Sequence, residues 1–295
     1  MTNTPPPFAL FIRGPHERIF ALSDTLGFET DIQALAVSVF EDGADSMHIQ
    51  ALFETENDAK ACAASLDLGG LENFITQLPD ENWTAKSQQG LPPVEAGRFF
   101  IYGSHDNDKI PMHTPYPILI DAGMAFGTGH HGTTKGCLLA FEALVRQPPS
   151  KTKKRPETYP ERILDLGCGT GVLAIAAAKA LNVDVLASDI DPDAVTVTKL
   201  NAKVNDAESK ITAVLADGIP DGGPFDLIFA NILAGPLVKL APDIARALAP
   251  KGHVILSGLL DEQAEKLILA YSAQGLTLTR QASLNGWTTL SMEKQ

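Results

Sequence analysis

The chain has 295 residues, with 36 acidic and 23 basic side chains that give a net charge of −13. The length allows two domains with sizeable cores, and the charge argues against a general nucleic-acid binder, which needs clustered Lys and Arg. No run of 18 apolar residues and no basic start before an apolar segment is present, so the sequence predicts a cytoplasmic protein without a membrane span or secretory signal.

Residues 1 to 80 alternate strand-like and helix-like patterns and contain no catalytic motif. Strands are predicted at 8–12, 34–40, 47–53 and 73–78, and helices at 15–26 and 56–66. The resulting order, βαββαβ, is that of a small ferredoxin-like α+β domain. Such a fold does not by itself indicate a function.

Residues 81 to 113 are predicted to be a linker, although residues 98–102 resemble a strand. Residues 114 to 295 then alternate strands and helices as a doubly wound α/β sheet requires. The predicted strands are 118–121, 163–165, 183–189, 211–217, 225–231, 251–257, 276–280 and 287–292, and the predicted helices are 133–147, 172–179, 192–205, 234–248 and 261–274.

A glycine-rich turn follows the buried strand that ends at Asp165. Gly167, Gly169 and Gly171 have no Cβ, so the backbone there can approach a ligand closely. The apolar helix after Gly171 presents unpaired N–H groups at its positive end. The segment therefore predicts a site for a nucleotide-like ligand.

Two cofactors fit such a turn. The spacing G-x-G-x-G differs from the dinucleotide fingerprint G-x-G-x-x-G, and the Asp165 carboxylate would repel a pyrophosphate. The same carboxylate would attract the ammonium and sulfonium groups of S-adenosyl-L-methionine, so charge favours that cofactor. Asp189 ends the next strand, 22 residues after Gly167, where a carboxylate can accept both ribose hydroxyls.

Four successive strands end in polar residues: Asp165, Asp189, Asp217 and Asn231. Each could be a helix N-cap or a turn former. Because parallel strands end at one edge of a sheet, four such residues favour a shared ligand pocket.

His130 and His131 follow a glycine-rich loop at residues 122–129. Adjacent histidines do not bind one metal readily from a helix, and no third ligand is evident, so no metal site is predicted. Two interpretations remain for these residues, as part of the loop or as a general base. The basic segment 151–155 is likewise either a solvated loop or an RNA contact.

Residues 165–171, Asp189 and Asn231 resemble the class I S-adenosylmethionine-dependent methyltransferases. Residues 121–134 and 230–236 narrow the resemblance to the PrmA family, the methyltransferases of ribosomal protein L11. The resemblance is clear over residues 80 to 295 and extends to the N-terminal part only in its element order. It implies a Rossmann-like, seven-stranded methyltransferase sheet with an antiparallel edge hairpin.

The resemblance also implies roles for individual residues. Thr134 is expected to contact the cofactor, and Phe126 with its flanking glycines to line the passage of the amine. Asn231 can accept hydrogen bonds from the amine, as the Asn-Pro-Pro-aromatic motif of many N-methyltransferases does. Here Ile232 follows and the aromatic residue is missing, which leaves Phe126 or Trp287 as a cation–π partner.

The leading hypothesis is an enzyme that methylates lysine side chains and the N-terminal α-amine of ribosomal protein L11, with S-adenosyl-L-homocysteine as product. The family resemblance assigns capture of this protein to residues 1–80, and a monomer without stable nucleic-acid binding is expected. Two alternatives remain open, a methyltransferase for another protein, nucleic acid or small amine, and a non-catalytic cofactor-binding assembly factor. Asn231 argues against the second, because an inactive protein need not retain it.

Overall fold

A computed structural model describes residues 6–28, 34, 36–41, 46–78, 93–120, 132–145 and 159–295. The chain divides into two compact units, Met1–Lys86 and Ser87–Gln295. The strands are β1 Phe8–Gly14, β2 Ala36–Glu41, β3 Met47–Phe53, β4 Glu72–Gln77, β5 Val94–Ala96, β6 Phe99–Tyr102, β7 Tyr116–Leu119, β8 Ile163–Leu166, β9 Val185–Asp189, β10 Ile211–Leu215, β11 Phe225–Asn231, β12 Leu248–Leu260, β13 Leu276–Leu284 and β14 Trp287–Lys294. The α-helices are α1 His16–Phe28, α2 Glu56–Ser65, α3 Gly132–Val145, α4 Val172–Leu181, α5 Pro192–Val204, α6 Ala234–Ala247 and α7 Ala264–Ser272. Within these ranges no helix is both long and apolar enough to cross a membrane.

The first unit is a four-stranded antiparallel sheet with the strand order β2-β3-β1-β4. Its elements follow the chain order βαββαβ. Burial alternates along β3, with Met47, Ile49, Ala51 and Phe53 buried, because successive side chains of a strand point to opposite faces. Both α1 and α2 contact β1 and β3, so the helices and the buried face of the sheet form one core.

The second unit contains a seven-stranded sheet with the order β10-β9-β8-β11-β12-β14-β13. The first five strands in this order are parallel, and β14 and β13 add an antiparallel edge. The predicted α/β class is confirmed. In β11, Leu227 and Phe229 face a core shared with α3, α4 and α5, whereas Ile228 and Ala230 face a core shared with α6 and α7. Burial on both faces explains the continuous apolar runs of the central strands.

The structure differs from the predicted linker at residues 81–113. Within that range, β5 and β6 form an antiparallel pair, and β6 pairs with β7 in a separate three-stranded sheet. Ala96, Phe99 and Ile101 are buried in the core that α3 and α4 share. The strand-like residues 98–102 correspond to β6. The strands are short and joined by a turn at Gly97, with φ +62°, so the sequence does not show locally that β6 pairs with β5 and β7.

Candidate active site

The carboxyl ends of β8, β9, β10 and β11 lie at one edge of the seven-stranded sheet, because these strands are parallel and adjacent. The order of the strands reverses at β8, which has β9 on one side and β11 on the other. Ligands of open α/β sheets bind at such a switch point. Asp189 and Asn231 are the last residues of β9 and β11, and the glycine turn follows β8 directly. The structure thus brings three of the predicted polar strand ends, including Asp165 in β8, to this point.

The turn between β8 and α4 strongly favours glycine at two of its positions. Gly167 and Gly171 have φ values of +71° and +78°, which L-residues rarely adopt. A Cβ on Gly167 would lie 2.3 Å from Cγ2 of Ile232, and a Cβ on Gly171 would lie 2.8 Å from Cγ2 of Thr198. Both packing and backbone conformation therefore require the glycines that the sequence marks as ligand-binding.

Asp189 connects the glycine turn to β9. Its Oδ2 accepts a hydrogen bond from the N–H of Gly169 at 2.9 Å, and its Oδ1 accepts one from the N–H of Asp191 at 3.1 Å. Each carboxylate oxygen has two lone pairs. Asp189 therefore keeps acceptor capacity for ribose hydroxyls while its orientation is fixed by the backbone.

Two buried polar residues of α5 also hold the turn, and the sequence analysis missed both. Thr198 Oγ1 donates to the carbonyl of Gly169 at 3.0 Å, and Asn201 Nδ2 donates to the carbonyl of Thr170 at 2.9 Å. Buried polar groups need partners, and residues three apart share a helix face. Polar residues on the buried face of α5 were thus an available signal that this helix holds a backbone turn.

Asn205, just after α5, fixes the end of β7. Its Oδ1 accepts from the N–H of Leu119 at 2.8 Å, and its Nδ2 donates to the carbonyl of Leu119 at 2.7 Å. The Asn205 carboxamide therefore forms with Leu119 the two hydrogen bonds that the backbone of a neighbouring strand would otherwise form.

The predicted site residue Phe126, together with Asp121, His130 and His131, lies outside the described residues.

Asp165 is 1% exposed and lies under the start of α4. Its Oδ2 accepts a hydrogen bond from the N–H of Ala174 at 2.9 Å. Burial raises the pKa of this carboxyl group to about 7, the Ala174 bond lowers the pKa, and the charge of Asp189 raises it. The sequence analysis predicted a carboxylate that points into the pocket, whereas the structure shows one that also supports the first turn of α4. A bound cation would favour its ionised form.

Asn231 has an unpaired acceptor. Its Nδ2 lies 3.4 Å from Oγ1 of Thr134, which is fully buried in α3. Its Oδ1 is buried and has no hydrogen-bond partner among the described residues. A buried acceptor without a partner costs about 1–3 kcal/mol. The carbonyl oxygen of Asn231 is therefore available to an N–H group that a ligand brings.

The outer part of the edge combines polar and apolar groups. Asp217 lies two residues beyond β10 and is exposed. Ile190, directly after Asp189, is 67% exposed, and Leu215, the partner of Asp189 in β10, is 61% exposed. Exposed apolar side chains beside carboxylates suit a ligand with a flat base and a polar sugar.

Trp287, a cation–π candidate in the sequence analysis, and Cys168 of the glycine turn are both buried. Trp287 is 3% exposed and lies beneath Gly132, whose Cβ would be 3.3 Å from its Cδ1. Burial raises the pKa of the Cys168 thiol to about 12, so this residue is a packed turn residue rather than a nucleophile. The described part of the chain contains no group of three His, Cys, Asp or Glu side chains that could hold a metal ion.

Replacing Gly171 by alanine is expected to destabilise the protein by about 1–3 kcal/mol, since the new Cβ meets Thr198 and the backbone has a positive φ. Gly275→Ala is the matched control, because Gly275 has φ +83° and open space around it. Chemical denaturation should show a larger loss at Gly171. The double variant Gly171→Ala with Thr198→Ser lacks the methyl group nearest to the new Cβ, so it should recover part of the lost stability. Equal losses of stability in Gly171→Ala and Gly275→Ala would contradict the steric argument.

Comparison with known proteins finds relatives that are methyltransferases, in agreement with the ligand site described at the sheet edge. A family model described as ribosomal protein L11 methyltransferase (PrmA) matches residues 22–295. The chain is 42% identical over 304 residues to the ribosomal protein L11 methyltransferase of Rhodopseudomonas palustris (strain BisB5), covering 100% of this chain and 99% of the relative. It is also 42% identical over 297 residues to the protein of the same name from Rhizobium meliloti (strain 1021), covering 97% and 98%.

A solved structure gives the same result. The crystal structure of ribosomal protein L11 methylase from Lactobacillus delbrueckii subsp. bulgaricus superimposes with a TM-score of 0.60 at 29% identity. The match covers 69% of this chain and 99% of that chain. The fold and the sequence therefore indicate the same family.

Proposed function

Because the chain belongs to the ribosomal protein L11 methyltransferase (PrmA) family, we propose that it transfers methyl groups from S-adenosyl-L-methionine to lysine side chains and the N-terminal α-amine of ribosomal protein L11. The observation that carries this proposal is the buried Oδ1 of Asn231, which lacks a partner among the described residues. An amine N–H would satisfy that oxygen. Its place beside the glycine turn puts such an amine next to the proposed cofactor site.

The residues at the sheet edge fit S-adenosyl-L-methionine. The turn at Gly167 and Gly171 is a backbone cradle that a Cβ would fill. Asp165 and Asp189 supply negative charge for a ligand that carries an ammonium and a sulfonium group. Asp189 would hold the ribose and Ile190 would cover the base, with Thr134 and Asp217 as further contacts. When bound, the cofactor supplies an electrophilic methyl group on its sulfonium.

The role of Asn231 follows from the state that the amine needs. A lysine amine with a pKa near 10.4 costs about 4 kcal/mol to deprotonate at pH 7.4, and an α-amine with a pKa near 8 costs much less. Burial in an apolar pocket lowers the pKa of an amine. Asn231 Oδ1 would accept one N–H of the neutral amine and orient its lone pair, while the Thr134 hydroxyl would orient the carboxamide.

We also assign substrate capture to the first unit, which carries most of the negative charge. Residues 1–86 contain 14 acidic and four basic side chains, a net charge of −10, so the rest of the chain carries only −3. An acidic surface attracts a basic protein over long distances and raises the rate of association.

Incubation with purified, unmethylated ribosomal protein L11 and radiolabelled S-adenosyl-L-methionine tests the function directly. Label should appear on lysine side chains and on the N-terminal amine, and mass spectrometry of peptides would locate it. A matched L11 preparation with an acetylated N-terminus should lose only the α-amine label. Absence of label from L11, with label on RNA or a small amine in a cell lysate, would replace this proposal by another methyltransferase activity.

Replacing Asp189 by alanine is expected to weaken cofactor binding by about 10- to 100-fold, because one charged hydrogen-bond acceptor for the ribose and one anchor of Gly169 are lost. Isothermal titration calorimetry measures the change. Asp184→Asn is the control, since Asp184 lies at the opposite end of the same strand and its side chain is 85% exposed. Unchanged affinity in Asp189→Ala would refute the ribose role.

A further inference from the structure

One face of the sheet in the first unit carries an aromatic row, formed by Phe40, His48, Phe11 and Phe74 from β2, β3, β1 and β4. Phe40 is paired with His48, and Phe11 with Phe74, across neighbouring strands. The ring centroids of Phe40 and His48 are 5.0 Å apart, those of His48 and Phe11 are 6.1 Å apart, and those of Phe11 and Phe74 are 4.8 Å apart. The aromatic row therefore crosses all four strands.

The aromatic row lies on the face opposite the helices. Ile12 and Ile49, which follow Phe11 and His48 in the chain, are fully buried on the face that packs against α1 and α2. Because side chains alternate along a strand, Phe11 and His48 point the other way. Phe74 is 54% exposed. Phe11, His48 and Phe40 are half-buried. A partly exposed aromatic row that crosses a whole sheet is a candidate interaction surface.

Two kinds of partner use such a surface. RNA-recognition domains also have a four-stranded sheet with aromatic side chains on neighbouring strands, on which bases stack. Their affinity needs basic residues to neutralise phosphates, whereas residues 1–86 carry a net charge of −10. A basic protein suits both the aromatic side chains and the negative charge of this unit. Its Lys and Arg side chains can pack on aromatic rings, and the acidic unit attracts them.

We propose that the aromatic row is the docking surface for a lysine- and arginine-rich protein, the methyl acceptor of the proposed function, and that the exposed ring of Phe74, which stacks on Phe11 through one face, binds a cationic side chain of that protein through its other face. This inference rests on the proposed function and adds the surface and the mode of recognition. The sheet face is preformed by backbone pairing, so docking needs no rearrangement of the strands.

Variants of Phe74 test the docking surface in the full-length chain. Phe74→Ala should weaken binding of unmethylated ribosomal protein L11 by about two- to fivefold, because an exposed cation–π contact contributes a factor of that size. Phe74→Tyr keeps the ring and should bind like the wild type, whereas Phe74→Leu keeps apolar area without the ring and should be weakened. Leu269→Ala is the matched control, because Leu269 is 64% exposed on α7 of the other unit and should not change the affinity.

Fluorescence anisotropy with labelled L11 measures these affinities, and calorimetry with S-adenosyl-L-methionine should give wild-type cofactor binding in every variant. Wild-type affinity for L11 in both Phe74→Ala and Phe74→Leu would overturn the docking surface. Saturable binding of a single-stranded RNA oligonucleotide that Phe74→Ala abolishes would overturn the choice of partner. If the wild-type chain binds L11 but does not methylate it, the proposed function alone is refuted. If L11 is methylated normally and the Phe74 variants bind it with wild-type affinity, the docking surface alone is refuted.

Discussion

Replacing Asn231 by alanine is expected to reduce kcat by about 10²- to 10³-fold while cofactor affinity stays within about tenfold. The buried Oδ1 of Asn231 has no partner among the described residues, so among them the change breaks only the long hydrogen bond of 3.4 Å from Asn231 Nδ2 to Thr134 Oγ1. The loss should therefore appear when the amine is aligned with the methyl group. Few other single changes at the sheet edge separate turnover from binding in this way.

Single-turnover kinetics with L11 and calorimetry with the cofactor measure the two effects separately. Thr134→Val is a useful companion, because it removes the hydroxyl 3.4 Å from Asn231 Nδ2 and leaves the acceptor oxygen in place. An intermediate loss of kcat is expected from the less well oriented carboxamide. Equal losses of turnover and cofactor affinity in Asn231→Ala would assign this residue to the cofactor instead.

The second unit was largely predictable because its signals are local. The central strands β9 and β11 are largely apolar and end in the polar residues Asp189 and Asn231, and β11 was predicted with its observed bounds, Phe225–Asn231. Burial on both faces of a parallel sheet produces such runs. The position of the polar ends at one edge then follows from parallel pairing alone, so Asp189 and Asn231 could be grouped without coordinates.

The remaining features depend on contacts between distant parts of the chain. Thr198 and Asn201 are unremarkable helix residues until α5 packs against the glycine turn, and only then do their hydrogen bonds appear. The aromatic row likewise depends on register, since Phe11 and Phe74 meet only when β1 and β4 pair. The spacing of Thr198 and Asn201 indicates a shared helix face, but neither spacing nor propensity identifies the segment that this face, or the aromatic row, contacts.

Asp165 also has a role that the sequence showed only in part, and its replacement by asparagine is expected to have a large, pH-dependent effect on stability. The folded-state pKa of about 7 lies above the unfolded value of about 3.9. Between these values the folded state holds a proton that the unfolded state releases, so the free energy of unfolding decreases as pH rises. Asparagine does not titrate, so Asp165→Asn should gain up to about 4 kcal/mol relative to the wild type between about pH 4 and pH 8.

Chemical denaturation of both proteins across this pH range measures the gain, with Asp184→Asn as a control for an exposed carboxylate directly before β9. Parallel stability profiles for Asp165→Asn and the wild type would contradict a raised pKa. Cofactor binding should change in the opposite sense, because a cationic ligand favours the ionised carboxylate. Wild-type affinity should therefore rise as pH increases through about 7, whereas the affinity of Asp165→Asn should be lower and should lack this rise. If both results are obtained, Asp165 destabilises the free protein at neutral pH and strengthens cofactor binding there, which would explain its presence through the ligand, since stability alone would favour its replacement.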